Sequence, residues 1–257
     1  MKKYLPNEHG VWLMLFFPLI SGIAAVASEK HNFLDGYAPS SVAAGAFFVF
    51  VLASFILTKP ISAIHSRKES FKDYLVGVVL LVVILLLCAA VLEHYSRLFT
   101  TLLILSPLFF VFTLSSLFIK ISKSSLIKLS GGALFPLSAI GGYYAFYGII
   151  TVDAFILYLL NMFFFFPRSL LATEYFIEKK RGFWGKASVS TIFSLVFVIS
   201  LHLTDFVNVK IVLFFLVFSL PIFLTLLGRY DWDNIRSFGK TEMCTSILFT
   251  TLLISFY

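Results

Sequence analysis

The sequence predicts an all-α integral membrane protein, a bundle of about nine transmembrane helices with the N-terminus in and the C-terminus out. Three observations support this fold class: the composition, the length of the apolar runs and the positions of the basic residues. Hydrophobic residues make up 60% of the 257 residues and charged residues 13%, with a mean hydropathy of +0.97. A soluble chain carries roughly 25% charged residues, so this chain has too little polar surface to face water.

Nine apolar segments are long enough to cross a bilayer. A spanning helix needs about 20 mostly apolar residues, because backbone polar groups cannot be left unpaired in hydrocarbon. The segments lie at about 10–27, 40–58, 74–92, 98–119, 130–149, 154–173, 188–204, 210–228 and 241–257. The first resembles a secretory signal, but Glu8 and His9 interrupt that pattern and favour an uncleaved helix. The short gaps leave no room for a soluble domain, so residues 1–257 are predicted to form a single polytopic transmembrane domain.

The basic residues alternate between the gaps in the way that sets membrane topology. Sixteen of the 20 lie in the N-terminal tail and the even-numbered gaps, and three lie in the odd-numbered gaps. Cytoplasmic loops are enriched in Lys and Arg, so the tail is predicted to be cytoplasmic. The same pattern accounts for the net charge of +7 without nucleic acid as a partner. We expect a multi-pass protein of the cell membrane, surrounded by membrane lipids; the oligomeric state is not predicted.

Two clusters of polar residues lie at the predicted cytoplasmic ends of the first two helices. Glu8 and His9 begin the first helix, where they are candidates for substrate binding or simply for helix capping. Lys59, His65 and Arg67 close the second helix, and their charges would suit an anionic headgroup or a diphosphate. The alternative is that Lys59 snorkels to the interface, which is the commoner behaviour of such a lysine.

A third cluster lies in and after the sixth predicted helix. Arg168 falls inside the apolar segment, where a charge is costly unless it faces a partner or a cavity. Glu174 and Glu178 are four residues apart and therefore share a helix face. Two carboxylates at this spacing could hold Mg²⁺ together with water and phosphate oxygens. The alternative is a like-charge pair relieved by the lysines that follow.

A fourth group of charged residues precedes the last helix. We interpret it as a solvated interfacial loop, comprising Arg229, Asp231, Asp233, Arg236, Lys240 and Glu242.

The opening motif resembles the YwiC-like family of bacterial membrane proteins. Its residues are Pro6-Asn7-Glu8-His9-Gly10-Val11-Trp12, followed by an apolar run that contains Pro18. The stretch Gly239-Lys240-Thr241-Glu242 is also compatible with that family. The resemblance implies a membrane protein of the bacterial inner membrane and carries no established biochemistry.

A more distant resemblance is to the UbiA-type intramembrane prenyltransferases. The pattern of small residues from Leu129 to Tyr143 is similar to their fifth helix, and the stretch 163–178 is similar to the sixth helix and second acidic motif. The resemblance implies a UbiA-like bundle in which acidic residues hold Mg²⁺ and a prenyl diphosphate. The first acidic motif of those enzymes is missing here, which puts two-metal prenyl transfer in doubt.

Two functions therefore remain open from the sequence. One is a UbiA-like protein that binds an isoprenoid or lipid diphosphate in a cytoplasm-facing cavity, as a prenyltransferase-like enzyme with a degenerate metal site. The other is a membrane transporter or accessory protein on the same scaffold without catalysis, since a fold does not fix a function.

Overall fold

The computed structural model describes residues 9–28, 41–66, 71–103, 135–177, 185–227 and 235–256. Within these ranges the chain forms helices and short turns, with no β-strand. A 3₁₀ turn, Phe135–Leu137, precedes α5, and a π-helical turn, Thr173–Ile177, follows α6. The helices are α1 His9–Ser28, α2 Ser41–Ser66, α3 Phe71–Glu93, α4 96–103, α5 Ser138–Tyr147, α6 Val152–Ala172, α7 Lys186–Leu203, α8 Val209–Leu226 and α9 Ile235–Phe256.

The predicted all-helical architecture is confirmed for the described residues. Each of the nine predicted apolar segments overlaps a helix of the described structure, with only residues 98–103 of the segment 98–119 and residues 135–149 of the segment 130–149 described. Within the described ranges, three helical stretches are long and apolar enough to cross a membrane, namely Leu75–Glu93, Val152–Phe176 and Lys186–Leu203. The number of helices that cross, and the orientation of the termini, stay predictions.

The chain divides into two compact units. Unit 1 comprises Met1–Glu8, His31–Ile121 and Tyr144–Gly148, and its described part is dominated by the packing of α2 against α3. Unit 2 comprises His9–Lys30, Ser122–Tyr143 and Ile149–Tyr257. In unit 2, α6 packs on α7, α7 on α8, α8 on α9 and α1 on α9. The single polytopic domain predicted from the sequence stays a prediction.

Three helices of unit 2 contain an internal proline: Pro18 in α1, Pro167 in α6 and Pro221 in α8. Each proline removes one backbone hydrogen bond of its helix. Neighbouring hydroxyls bond to the backbone at two of these sites: Ser21 Oγ donates to the Pro18 carbonyl at 2.8 Å and Thr225 Oγ1 to the Pro221 carbonyl at 2.8 Å. These bonds go to the prolines' own carbonyls, whereas the carbonyl that each proline leaves without its helical N–H donor is that of the residue four positions earlier.

Two glycines allow α1 and α5 to approach each other at backbone distance. A Cβ placed on Gly142 would lie 2.5 Å from the Leu19 carbonyl oxygen, and one on Gly22 would overlap the Ala139 carbonyl. Small residues are the usual solution where membrane helices meet this closely. The contact therefore depends on glycine at both positions.

Candidate functional site

Arg168 lies about one turn before the end of α6 and is almost fully buried. Its side chain is 4% exposed, although α6 is one of the helices long and apolar enough to cross a membrane. It directly follows Pro167, where the helix backbone is already perturbed. A charge in such a position requires partners, and the structure supplies them from three helices.

Two backbone carbonyls accept hydrogen bonds from the guanidinium. Arg168 Nη1 donates to the carbonyl of Phe164, one turn earlier in α6, at 2.8 Å, and Nη2 donates to the carbonyl of Phe218 in α8 at 2.6 Å. The carbon of the guanidinium also lies 3.7 Å from the centre of the Phe164 ring, a cation–π contact. These three contacts fix both the position and the plane of the guanidinium.

The charge of Arg168 is balanced by Glu242 of α9. Nε lies 3.2 Å from Glu242 Oε2, yet its N–H makes no hydrogen bond of acceptable geometry. The contact is therefore an ion pair and not a linear, charge-assisted hydrogen bond. Glu242 is the more accessible partner, with 16% of its side chain exposed.

A cluster of aromatic rings adjoins Arg168 through the Phe164 ring. The Phe164 ring stacks on Phe249 of α9, with ring centres 3.7 Å apart and planes within 8°. Phe215 and Phe218 of α8 present their edges to this stack. Arg168, Glu242, Phe164, Phe218 and Phe249 are called the Arg168–Glu242 site below. It contains one firmly held cation and one less restrained carboxylate beside this aromatic cluster.

The expectation of a solvated loop is wrong for Glu242. Residues 235–256 form the helix α9, and the Glu242 carboxylate is mostly buried against Arg168. The reason is electrostatic: a buried guanidinium needs a counter-ion, and α9 supplies one near its start. A charged residue within an apolar helix is costly without a partner. Arg168 was therefore the one sequence signal that a carboxylate from another part of the chain pairs with it.

Glu174 has a structural role in the described residues. Its Oε1 accepts from the Lys186 backbone N–H at 2.7 Å and its Oε2 from the Ala187 backbone N–H at 3.0 Å. The residue that precedes α7, Gly185, offers no side-chain cap, so the Glu174 carboxylate satisfies the first amides of that helix. The Glu174 side chain is 5% exposed.

The predicted magnesium site is described only in part. Both Glu174 oxygens are engaged by α7, and Glu178 lies outside the described residues. Among the side chains that the structure describes, no group of three or more His, Cys, Asp or Glu could hold a metal ion. A Mg²⁺ role for Glu174 and Glu178 stays a prediction.

The side chains of the remaining predicted binding residues lie outside the description. Lys59 and His65 belong to the backbone of α2 in unit 1, and His9 begins α1, but their side chains lie outside the description. Glu8 and Arg67 lie outside the described residues altogether. Their roles in substrate binding stay predictions.

A second buried polar contact lies two turns before Arg168 on α6. Asn161 is fully buried, and its Nδ2 donates to Ser21 Oγ of α1 at 3.0 Å and to the Leu157 carbonyl at 2.8 Å. Its Oδ1 has no hydrogen-bond partner in the described structure. The pair joins α1 to α6 and was not predicted from the sequence.

Comparison with known proteins decides the family. Residues 5–143, more than half of the 257, match the family described as YwiC-like protein. The chain belongs to the YwiC-like family. No curated protein and no solved structure matches it. The family match of this YwiC-like protein includes the opening motif, whereas the Arg168–Glu242 site lies beyond the matched residues.

Proposed function

We propose that this YwiC-like protein is a multi-pass membrane protein that binds an anionic amphiphile at the Arg168–Glu242 site. The ligand class is an isoprenoid or lipid carrying a phosphate or diphosphate. The observation that carries the proposal is a buried guanidinium held in place by two carbonyls and a ring face. An ionisable residue kept within an apolar helix is expensive, and in membrane proteins it is usually retained for function.

The surroundings of the guanidinium favour a ligand with an apolar tail. Phe164, Phe215 and Phe249 are buried and packed together beside the charged pair. A guanidinium offers a planar fork of donors that matches the oxygens of a phosphate. A ligand with an apolar chain next to an anionic group would match both the aromatic rings and the guanidinium.

The finer proposal is a prenyltransferase-like activity on a UbiA-like scaffold. That chemistry needs Mg²⁺ to hold the diphosphate, and the only carboxylate of the predicted metal pair that is described, Glu174, caps α7 with both oxygens. Binding without turnover is therefore the better supported form of the proposal. In either form, Arg168 would hold the anionic group in place.

The proposal is tested by binding measurements on the purified protein in detergent micelles. The ligands are farnesyl diphosphate, farnesol, phosphatidic acid and inorganic diphosphate, so that the apolar tail and the charge are varied separately. We expect farnesyl diphosphate or phosphatidic acid to bind and farnesol and inorganic diphosphate to bind far more weakly. The stronger of the two binders would tell an isoprenoid ligand from a membrane phospholipid.

The variant that carries this test is the double substitution Arg168→Gln with Glu242→Gln. It removes both charges, so neither is left buried alone and the fold is expected to persist. Binding should weaken at least about 30-fold, which corresponds to about 2 kcal/mol for a lost buried charge contact. Lys210→Gln, which removes an exposed cation in the same unit, is the control. Equal binding by the double variant and the wild type would contradict the proposal.

A transporter on the same scaffold is the second candidate. It is favoured by the internal prolines of α1, α6 and α8 and by the π-helical turn after α6, because interrupted helices are common in transporters. Proteoliposomes loaded with a fluorescent prenyl phosphate would distinguish the two. Transport requires protein-dependent loss of the probe from the lumen, whereas a binding protein would leave the probe on its original side.

A further inference from the structure

Arg168 is held by several contacts besides its ion pair with Glu242. Both terminal nitrogens of the guanidinium donate to backbone carbonyls, of Phe164 and Phe218, and one face of the group lies on the Phe164 ring. Backbone carbonyls in packed helices cannot move away as a side chain can. The guanidinium would therefore keep its place if the Glu242 carboxylate were removed.

The edge of the guanidinium that faces Glu242 is the least satisfied part of the group. Nε is buried and makes no hydrogen bond, although Glu242 Oε2 is only 3.2 Å away. A guanidinium can donate five N–H bonds, and two are used by the carbonyls. An oxyanion with two suitably spaced oxygens could make better bonds along this edge than the carboxylate now does.

Glu242 is held less firmly than its partner. Its carboxylate has Arg168 as its one ion-pair or hydrogen-bond partner within the described ranges, and 16% of the side chain is exposed, against 4% for Arg168. The carboxylate is thus less enclosed than the guanidinium, which is tied to α6 and α8.

We propose that Glu242 is a built-in counter-ion that occupies the anion-binding edge of Arg168 and is displaced by the phosphate group of the ligand. This inference rests on the proposed function and explains which anionic groups the same site would select. When no ligand is bound, the carboxylate neutralises the guanidinium. When the ligand enters, its phosphate oxygens take the Nε edge and the carboxylate turns toward the exposed side.

The exchange predicts which headgroups are selected. A ligand with a single carboxylate, such as a fatty acid, would replace one carboxylate by another and gain little from the exchange. A phosphate or diphosphate brings more charge and more acceptor oxygens, so it gains more from Arg168 than Glu242 does. Neutral alcohols cannot replace the counter-ion at all. The expected order of affinity is diphosphate, then monophosphate, then carboxylate, then alcohol.

The test measures the dissociation constant of farnesyl diphosphate for the full-length protein and its variants in detergent micelles. Glu242→Gln removes the competing charge with almost no change in shape, and we expect it to bind about tenfold more tightly than the wild type. Glu242→Asp keeps the charge on a shorter side chain and should lie between the two. Asp205→Asn removes one negative charge from an exposed position of the α7–α8 turn, and its affinity should equal that of the wild type. Melting temperatures of all variants confirm that they are folded.

The outcomes separate this inference from the proposed function. If the wild type binds and Glu242→Gln binds equally or more weakly, the counter-ion role is wrong while the binding site stands. If Glu242→Gln binds and the wild type does not, the counter-ion role is supported and the carboxylate closes the site in the native protein. If neither binds any of the phosphates, both proposals fail. If Asp205→Asn tightens binding as much as Glu242→Gln, the effect comes from overall charge and the inference is wrong.

Discussion

The helices α3 and α6 are both long and apolar enough to cross a membrane, yet they are used in opposite ways. In the most apolar stretch of α3, 11% of the residues are buried, whereas in the corresponding stretch of α6 72% are buried. The exposed face of α3 carries side chains such as Val76 and Leu86, which are 69% and 65% exposed. The buried face of α6 carries Asn161 and Arg168.

The difference shows what determines burial when lipid is the solvent. Apolar side chains gain little from leaving hydrocarbon for a protein interior, so hydrophobicity alone does not choose the buried helix. Polar and charged side chains gain a great deal from protein partners, because hydrocarbon offers none. The residues that make α6 less apolar than α3 are therefore the ones that place it inside its unit.

The largest effect on stability is expected from breaking the ion pair between Arg168 of α6 and Glu242 of α9. Arg168→Met leaves the Glu242 carboxylate mostly buried without a cation, and the free energy of unfolding should fall by about 3–5 kcal/mol. The double substitution Arg168→Met with Glu242→Met should recover most of that loss. The measurement is reversible unfolding in mixed micelles of detergent and sodium dodecyl sulfate. Leu86→Met on the exposed face of α3 is the control and should change little; a single Arg168→Met variant as stable as this control would contradict the comparison.

A smaller loss of stability is expected from replacing a glycine at which α1 and α5 are in close contact. An alanine at Gly22 would place its Cβ against the Ala139 carbonyl and 2.9 Å from the Tyr143 backbone nitrogen, and neither backbone atom can rotate away. Unfolding free energy should fall by about 3 kcal/mol, at the upper end of overpacking effects.

Gly45 of α2 is the matched position, because a Cβ there meets nothing within 4 Å. Gly45→Ala should be neutral or should stabilise the protein by up to about 1 kcal/mol, since alanine favours the helix more than glycine does. Equal losses from the two substitutions in the same unfolding assay would show that the close approach of α1 and α5 is not required.

The helices could be predicted from the sequence because a local property determines them. The thickness of the bilayer fixes the length of an apolar run, and proline did not end the runs at Pro18, Pro167 or Pro221. The need of Arg168 for partners could be predicted for the same reason, since the cost of its charge depends only on its depth in an apolar segment. These predictions required no knowledge of which helices are neighbours.

The partners of those residues could not be predicted in this way. The pairing of Arg168 with Glu242, and of Asn161 with Ser21, depends on which helix faces pack against each other. A short-range sequence pattern does not indicate this. Glu174 shows the same limit: its spacing from Glu178 indicated a metal pair, whereas the described structure uses it to cap a helix that begins at Lys186. Gly185, the residue before α7, has no side chain to accept from the first amides of that helix, and Glu174 accepts from them instead.

The most direct test of the central claim is to locate the bound ligand. A prenyl diphosphate carrying a diazirine in its chain is irradiated with the purified protein, and the labelled peptides are identified by mass spectrometry. Labelling of α6, α8 or α9 near Phe164, Phe218 or Phe249, abolished by excess farnesyl diphosphate and by the double Gln substitution at Arg168 and Glu242, is the predicted result. Labelling confined to α3 and unaffected by either treatment would contradict the account.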